Sequence, residues 1–199
     1  VYRNIWHFTR IPLSYMKNME LEEMEEKARR FAEQAHSLQK RKYTDEPYIN
    51  HLKRVANLVR SVPHTPSMVF AAYLHDVLKH TDVSPKTLRK HFGKEVALLV
   101  DELTDEFTKK AYPHLNRRWR KKKEAQRMAE INWGAQTIKL ADLIDNLPGI
   151  IQHDVKFAKT YVREVEILIE NLQDGDASLR QRLKKEIEIA KNKIEKTVL

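Results

Sequence analysis

The sequence predicts an all-α protein. Its 199 residues include only 4 Gly and 7 Pro, which leaves little material for a loop-rich fold. Apolar residues recur at steps of three and four over most of the chain, and no strand-like run of any length interrupts them. The length suits one domain with a sizeable core.

Each element has its own signal. Leu21 to Leu38 carries apolar or small residues at 21, 24, 28, 31, 32, 35 and 38, one face of a helix opened by the acidic ELEEMEE. QKRKYTDEP reads as a loop, and Pro47 opens a helix containing His51, Val55, Leu58 and Val59. After the break SVPHTPS, Met68 to Leu78 is apolar enough to be buried on most sides. Asp82 or Ser84 caps the next helix, with Asp82 favoured, and Gly93 divides it from Glu95 to Leu103. A basic helix from Arg117 to Ile131 leads into Ala135 to Asp145, which Pro148 and Gly149 should end. Helices over Phe157 to Leu172 and Leu179 to Val198 close the chain. The last has a stripe at 179, 183, 187, 190, 194 and 198, suited to packing on the domain or to self-association.

Composition excludes several functions. With no Cys, there is no disulfide, thiolate nucleophile or Cys-ligated zinc, and a reducing compartment, hence a cytoplasmic location, is expected. No eighteen-residue apolar run suggests a membrane span, and VYRNIWHF is not followed by the apolar run of a secretory signal. The chain opens on Val rather than Met, so preceding residues are expected. No Gly-rich nucleotide loop occurs. A net charge of +9 favours anionic partners without choosing among them.

The chemistry concentrates in four polar residues within apolar helices: His51, His75, Asp76 and Asp142. Burying an ionised Asp without a partner is costly. Two His and two Asp around one divalent cation would remove that cost and leave coordination positions for water. The adjacent His75-Asp76 pair is weak evidence by itself, because helix neighbours diverge by about 100°. Polar groups hydrogen-bonded across a helix interface remain the alternative.

Three blocks change that balance. FAEQAHSLQKRKYTDEPYINHLKRVANLV, AAYLHDVLKHTDVSPKTLRKHFGKEVALLVDELT and TIKLADLIDNL, in that order, resemble the HD superfamily of metal-dependent phosphohydrolases. More closely, they resemble the hydrolase domain of RelA/SpoT proteins and the small stand-alone alarmone hydrolases. The resemblance implies a compact HD-domain helical bundle with a C-terminal helical extension, the domain over 20–172 and the amphipathic helix over 173–199. It implies His51, His75, Asp76 and Asp142 as ligands of Mn²⁺ or another divalent ion. It places Arg41, Lys42 and Asn146 at the substrate pocket. Tyr48 and Lys139 fall at matching positions, with packing and solvated charge as equal alternatives. The implied partner is a nucleotide, an alarmone such as guanosine tetra- or pentaphosphate or another nucleotide phosphate. Neither a nucleic acid nor a membrane is expected, and a homo-oligomer is left open.

The resemblance breaks at one place. Active alarmone hydrolases of this type usually read His-Asp-Val-Val-Glu-Asp-Thr, where this chain reads His75-Asp76-Val77-Leu78-Lys79-His80-Thr81. Lys79 and His80 would face the metal if the helix continued past Asp76. His80 is then the proton-transfer candidate and Lys79 a phosphate-holding charge. Alternatively, the exchange abolishes hydrolysis and leaves a nucleotide-binding protein. Leu143 and Asp145 also depart from the usual Ala-Asp-Arg-Leu-His-Asn. Glu102 and Asp105 are expected to be solvated at a helix end. The run RRWRKKK at 117–123 supports a lesser alternative, a nucleic-acid-binding helical protein.

Overall fold

The computed structural model describes residues 13–198, with side chains described from 17 to 196. The opening VYRNIWHF lies outside them. Among the described residues there are nine α-helices and no sheet: α1 (Leu13–Ala35), α2 (Ile49–Arg60), α3 (Pro66–Leu74), α4 (Val77–His80), α5 (Pro85–Leu103), α6 (Arg117–Met128), α7 (Trp133–His153), α8 (Val155–Ile169) and α9 (Ala177–Val198). An isolated antiparallel bridge pairs Lys40 with Pro47.

α3 is the hub. Thr65 caps it through the Met68 amide, Pro66 starts it, and every residue from Met68 to Leu74 is buried. A helix apolar on all sides must be surrounded, and α1, α2, α5 and α7 surround this one. α2 has a more one-sided pattern, burying Ile49, Leu52, Val55, Ala56 and Val59 against α3 and α7.

Several expected boundaries shift. The first helix ends at Ala35, and the turn that follows leaves Leu38 98% exposed rather than on the buried face. The apolar helix through Leu78 is interrupted at His75 and Asp76, where Asp76 adopts φ −106°, ψ 0° and α4 starts afresh. Ser84, not Asp82, caps α5, accepting from the Thr87 amide with Pro85 behind it. Gly93 does divide α5 as expected: at φ 86° and ψ 176°, a non-helical conformation almost confined to glycine, it joins two helical segments across a kink. α7 continues through Pro148 to His153. Pro148 is exposed at a cleft, so the single lost hydrogen bond falls on an open side of the helix.

α9 lies on α7 and α8, burying Leu179, Leu183, Ile187, Ala190 and Ile194 in the common core. Val198 lies beyond the described side chains. The turn into α9 is tied to α7: the buried Gln136 Oε1 accepts from the Asp174 and Gly175 amides, and Thr137 Oγ1 accepts from the Asp176 amide. A Cβ on Gly175 would sit 2.8 Å from Leu140 Cδ1 and 3.2 Å from the Gln136 backbone, so the close approach needs glycine.

Candidate metal centre and its two clefts

Three helical elements bring the candidate ligands together. α2 supplies His51, the C-terminal end of α3 supplies His75 and the break after it Asp76, and α7 supplies Asp142. One ligand atom each from His51, His75 and Asp142 can be chosen so that all lie within 4.8 Å of one another. This is the sole His/Asp/Glu cluster of its kind among the described residues. Asp76 borders it, with Oδ2 3.4 Å from His75 Nε2 and 4.0 Å from His51 Nε2. Lys79 and His80 stand outside the triad.

The imidazoles are oriented from behind. His51 Nδ1 lies 2.7 Å from Asp145 Oδ2, and His75 Nδ1 lies 2.8 Å from the Ala72 carbonyl oxygen. Both partners accept only, so each Nδ1 carries a proton and donates it. Each Nε2 therefore faces the cluster, and both are buried without a hydrogen-bond partner. The nearest carboxylate oxygens, Asp142 Oδ1 at 3.4 Å from His51 Nε2 and Asp76 Oδ2 at 3.4 Å from His75 Nε2, are poorly aligned for hydrogen bonds, and Asp142 Oδ1 lies 3.7 Å from His75 Nε2. Two orphaned nitrogens converging on buried carboxylates match the donor set of a divalent cation. The residues present can chelate such an ion.

The electrostatics agree. Burial opposes the charged form of Asp142, but Lys139, His51 and His75 hold its carboxyl well below the usual range. Burial likewise opposes ionisation of Asp76, and His75 and Lys79 more than offset it. Burial alone would push the His75 imidazole down, yet Asp76 and Asp142 raise its pKa to about 10. Tyr48 donates its hydroxyl to Asp76 Oδ2 at 2.5 Å. Burial and Asp76 push that phenol up, so it remains a donor. His36 stacks on the Tyr48 ring at a centroid distance of 4.9 Å.

Asp145, expected only to weaken the resemblance, orients His51 and also accepts Arg54 Nε at 2.5 Å. His51 and Arg54, three apart on one face of α2, were the available signal for a bridging acid. Lys139 Nζ is 2.9 Å from Asp142 Oδ2, and Asn146 Nδ2 donates to Asp142 Oδ1 at 2.5 Å. Both therefore touch a candidate ligand directly.

Two clefts meet beside this centre and share Asn146 and Ile150. The larger, about 900 Å³, is lined by Arg41, Lys42, Tyr48, His80 and Asn146 among others. The loop that carries Arg41 and Lys42 is closed by hydrogen bonds from the Arg41 amide to Glu46 O and from the Tyr48 amide to Gln39 O. Asp45, at φ 55°, makes its tight turn. Arg41 points inward, its Nη2 3.8 Å from Asp145 Oδ2, while Lys42 pairs with Asp154 at 3.5 Å on the rim.

The smaller cleft holds Lys79, Asp105, Lys121, Lys139 and Asp142. Lys79 and His80 are thus divided between the two clefts, because consecutive residues on α4 point in different directions. His80 Nε2 lies 3.8 Å from Asp76 Oδ1, and burial and Lys79 lower its pKa, so it is neutral at pH 7. Asp105 is not a solvated helix end. It is largely buried and pairs with Lys121 and Lys79. Glu102 does lie at a helix end, where its carboxylate accepts from the Asn132 amide.

Comparison with known proteins agrees with this geometry. The HD domain family matches residues 28–165. A guanosine-3′,5′-bis(diphosphate) 3′-pyrophosphohydrolase of Drosophila melanogaster is 36% identical over 157 residues, covering 74% of this chain and 84% of that protein. The Homo sapiens protein of the same description is 32% identical over 165 residues, covering 77% and 87%. A solved structure, described as a metazoan ortholog of SpoT that hydrolyzes ppGpp and plays a role in starvation responses, superposes with a TM-score of 0.73. It is 28% identical and covers 83% of this chain and 94% of its own. With the helical bundle and the His-His-Asp centre in place, the chain belongs to the HD-domain family of metal-dependent phosphohydrolases.

Proposed function

We propose that this protein hydrolyses a guanosine nucleotide of the alarmone type, removing the diphosphate from the 3′ position. The observation that carries the reading is the pair of buried, unpartnered Nε2 atoms of His51 and His75 directed at Asp142. His51, His75, Asp76 and Asp142 would hold the ion, and the mixed nitrogen and oxygen set suits Mn²⁺. When bound, it supplies a Lewis acid that polarises a phosphoryl oxygen and acidifies water.

The chain supplies positioning and proton transfer. The guanosine and its 5′-phosphates enter the larger cleft, where Arg41 and Lys42 meet the phosphate charge and Asn146 sits between the nucleotide and Asp142. His80, neutral and facing this cleft beside Asp76, accepts a proton from the attacking water. Lys79 and Lys139 offset charge that develops on phosphoryl oxygens. The basic helix α6 serves the fold before any nucleic acid: Arg117 pairs with Glu164, Lys121 with Asp105 and Arg127 with Glu124.

Release of pyrophosphate from guanosine 3′,5′-bis(diphosphate), assayed across divalent metals with Asp142→Ala alongside, tests this reading. Metal-dependent release, highest with Mn²⁺ and lost in the variant, is the expected result. Nucleotide binding without release from folded, metal-loaded protein would replace hydrolysis with a binding role.

A further inference from the structure

The smaller cleft, of about 270 Å³, has a charge pattern that the metal centre does not require. Lys121 Nζ and Lys79 Nζ approach a single oxygen, Asp105 Oδ2, at 3.3 and 3.8 Å. Lys139, deep in the same cleft, lies 2.9 Å from Asp142 Oδ2. The remaining acids of the wall are matched elsewhere, Glu164 by Arg117 and Glu124 by Arg127. Three ammonium groups therefore face two carboxylates, and one of those, Asp142, belongs to the metal triad. With a divalent ion on that triad, the cleft carries a clear positive excess.

The arrangement is held rigidly. Glu124 Oε2 accepts the amides of Glu106 and Phe107 at 3.0 and 2.9 Å, and Arg127 ties Glu124 to the carbonyls of Glu102 and Thr104. Asp105 is thereby pinned opposite Lys79, and the two lysines converge from α4 and α6. A partly enclosed, preformed cluster of ammonium groups is a site for a compact polyanion.

We infer that the smaller cleft seats the terminal phosphate of the diphosphate that is cleaved, with Lys79 and Lys121 as its ligands. The inference rests on the proposed hydrolysis for its direction and adds a specificity site to it. In the reaction, a water oxygen bonds to the phosphorus attached to O3′, the P–O3′ bond breaks, and O3′ takes up a proton. The products are a nucleotide with a free 3′-hydroxyl and pyrophosphate. Negative charge gathers on the pyrophosphate, whose outer phosphate meets Lys79 and Lys121. A 3′-monophosphate lacks that group and gains nothing from them.

Calorimetric titration of inorganic pyrophosphate into the full chain without added metal tests the site apart from turnover. Lys79→Met and Lys121→Met should each weaken pyrophosphate binding about tenfold, as expected for a lost charge-assisted contact. Asp105→Asn should tighten it, because the competing carboxylate charge is gone. Thermal melts confirm that each variant is folded. In turnover, both lysine variants should lose about tenfold of the preference for a 3′-diphosphate over a 3′-monophosphate. Pyrophosphate affinity that responds to these residues in a protein that cleaves no nucleotide would sink the hydrolase reading and keep the site. Cleavage with pyrophosphate affinity and 3′ preference unchanged in all three variants would overturn the site and keep the hydrolase.

Discussion

At the scale of single residues, the centre depends on what stands behind its ligands. Asp145 touches no other candidate ligand at hydrogen-bonding distance, yet it fixes the tautomer and orientation of His51. Asp145→Asn should lower metal affinity about 10- to 100-fold while the fold persists, the usual effect of losing a ligand's orienting partner. Competition with a fluorescent chelator would read this directly, and unchanged affinity would remove Asp145 from the site. His75 makes a second prediction. In the metal-free protein Asp76 and Asp142, working against burial, hold its pKa up to about 10. An ion needs the Nε2 lone pair, so binding at neutral pH must expel that proton. Metal affinity should therefore fall as pH drops and rise with pH toward 10. Calorimetry in buffers of different ionisation enthalpy should find about one proton released per ion near pH 7.

The elements place these residues through their ends and breaks as much as through their faces. α3 is buried on every side, so its C-terminal end can aim His75 into the molecule. The interruption at Asp76 then restarts the chain as α4 and divides Lys79 from His80. α5 is kinked at Gly93, where the backbone leaves the helical conformation. The space around that residue is open, so the constraint there is the backbone and not a neighbour. Gly93→Ala should cost about 1–3 kcal/mol, the range for a non-glycine residue held in such a conformation. Urea denaturation would measure it, and a loss near zero would mean that α5 bends differently.

On the scale of the whole molecule, α9 is continuous with the core over α7 and α8. We propose that 173–199 folds with the catalytic domain and not as a separate appendage. Leu183 is fully buried between them. Leu183→Ala should therefore destabilise the whole chain by about 2–5 kcal/mol in one cooperative transition. A separate early transition, with the rest unaffected, would make α9 an independent unit. None of the described helices is long and apolar enough to cross a membrane.

The sequence alone determined the helical class, most helix positions and, among its polar residues in apolar helices, the His51, His75 and Asp142 that converge, with Asp76 at their border. Those follow from local rules, since periodicity, caps and the cost of burying His and Asp are visible in one dimension. It misjudged Leu38, the run through Leu78, the Asp82 cap and the stop at Pro148, where tertiary packing or solvent exposure overrode local preference. Tertiary structure alone revealed that Asp145 orients His51, that Tyr48 holds Asp76, and that Lys79, Lys121 and Asp105 share one cleft. Each of these contacts joins residues from 16 to 94 positions apart, or from opposite sides of a helix break. No periodic pattern encodes such pairs; they exist because α2, α3, α6 and α7 are packed into one body.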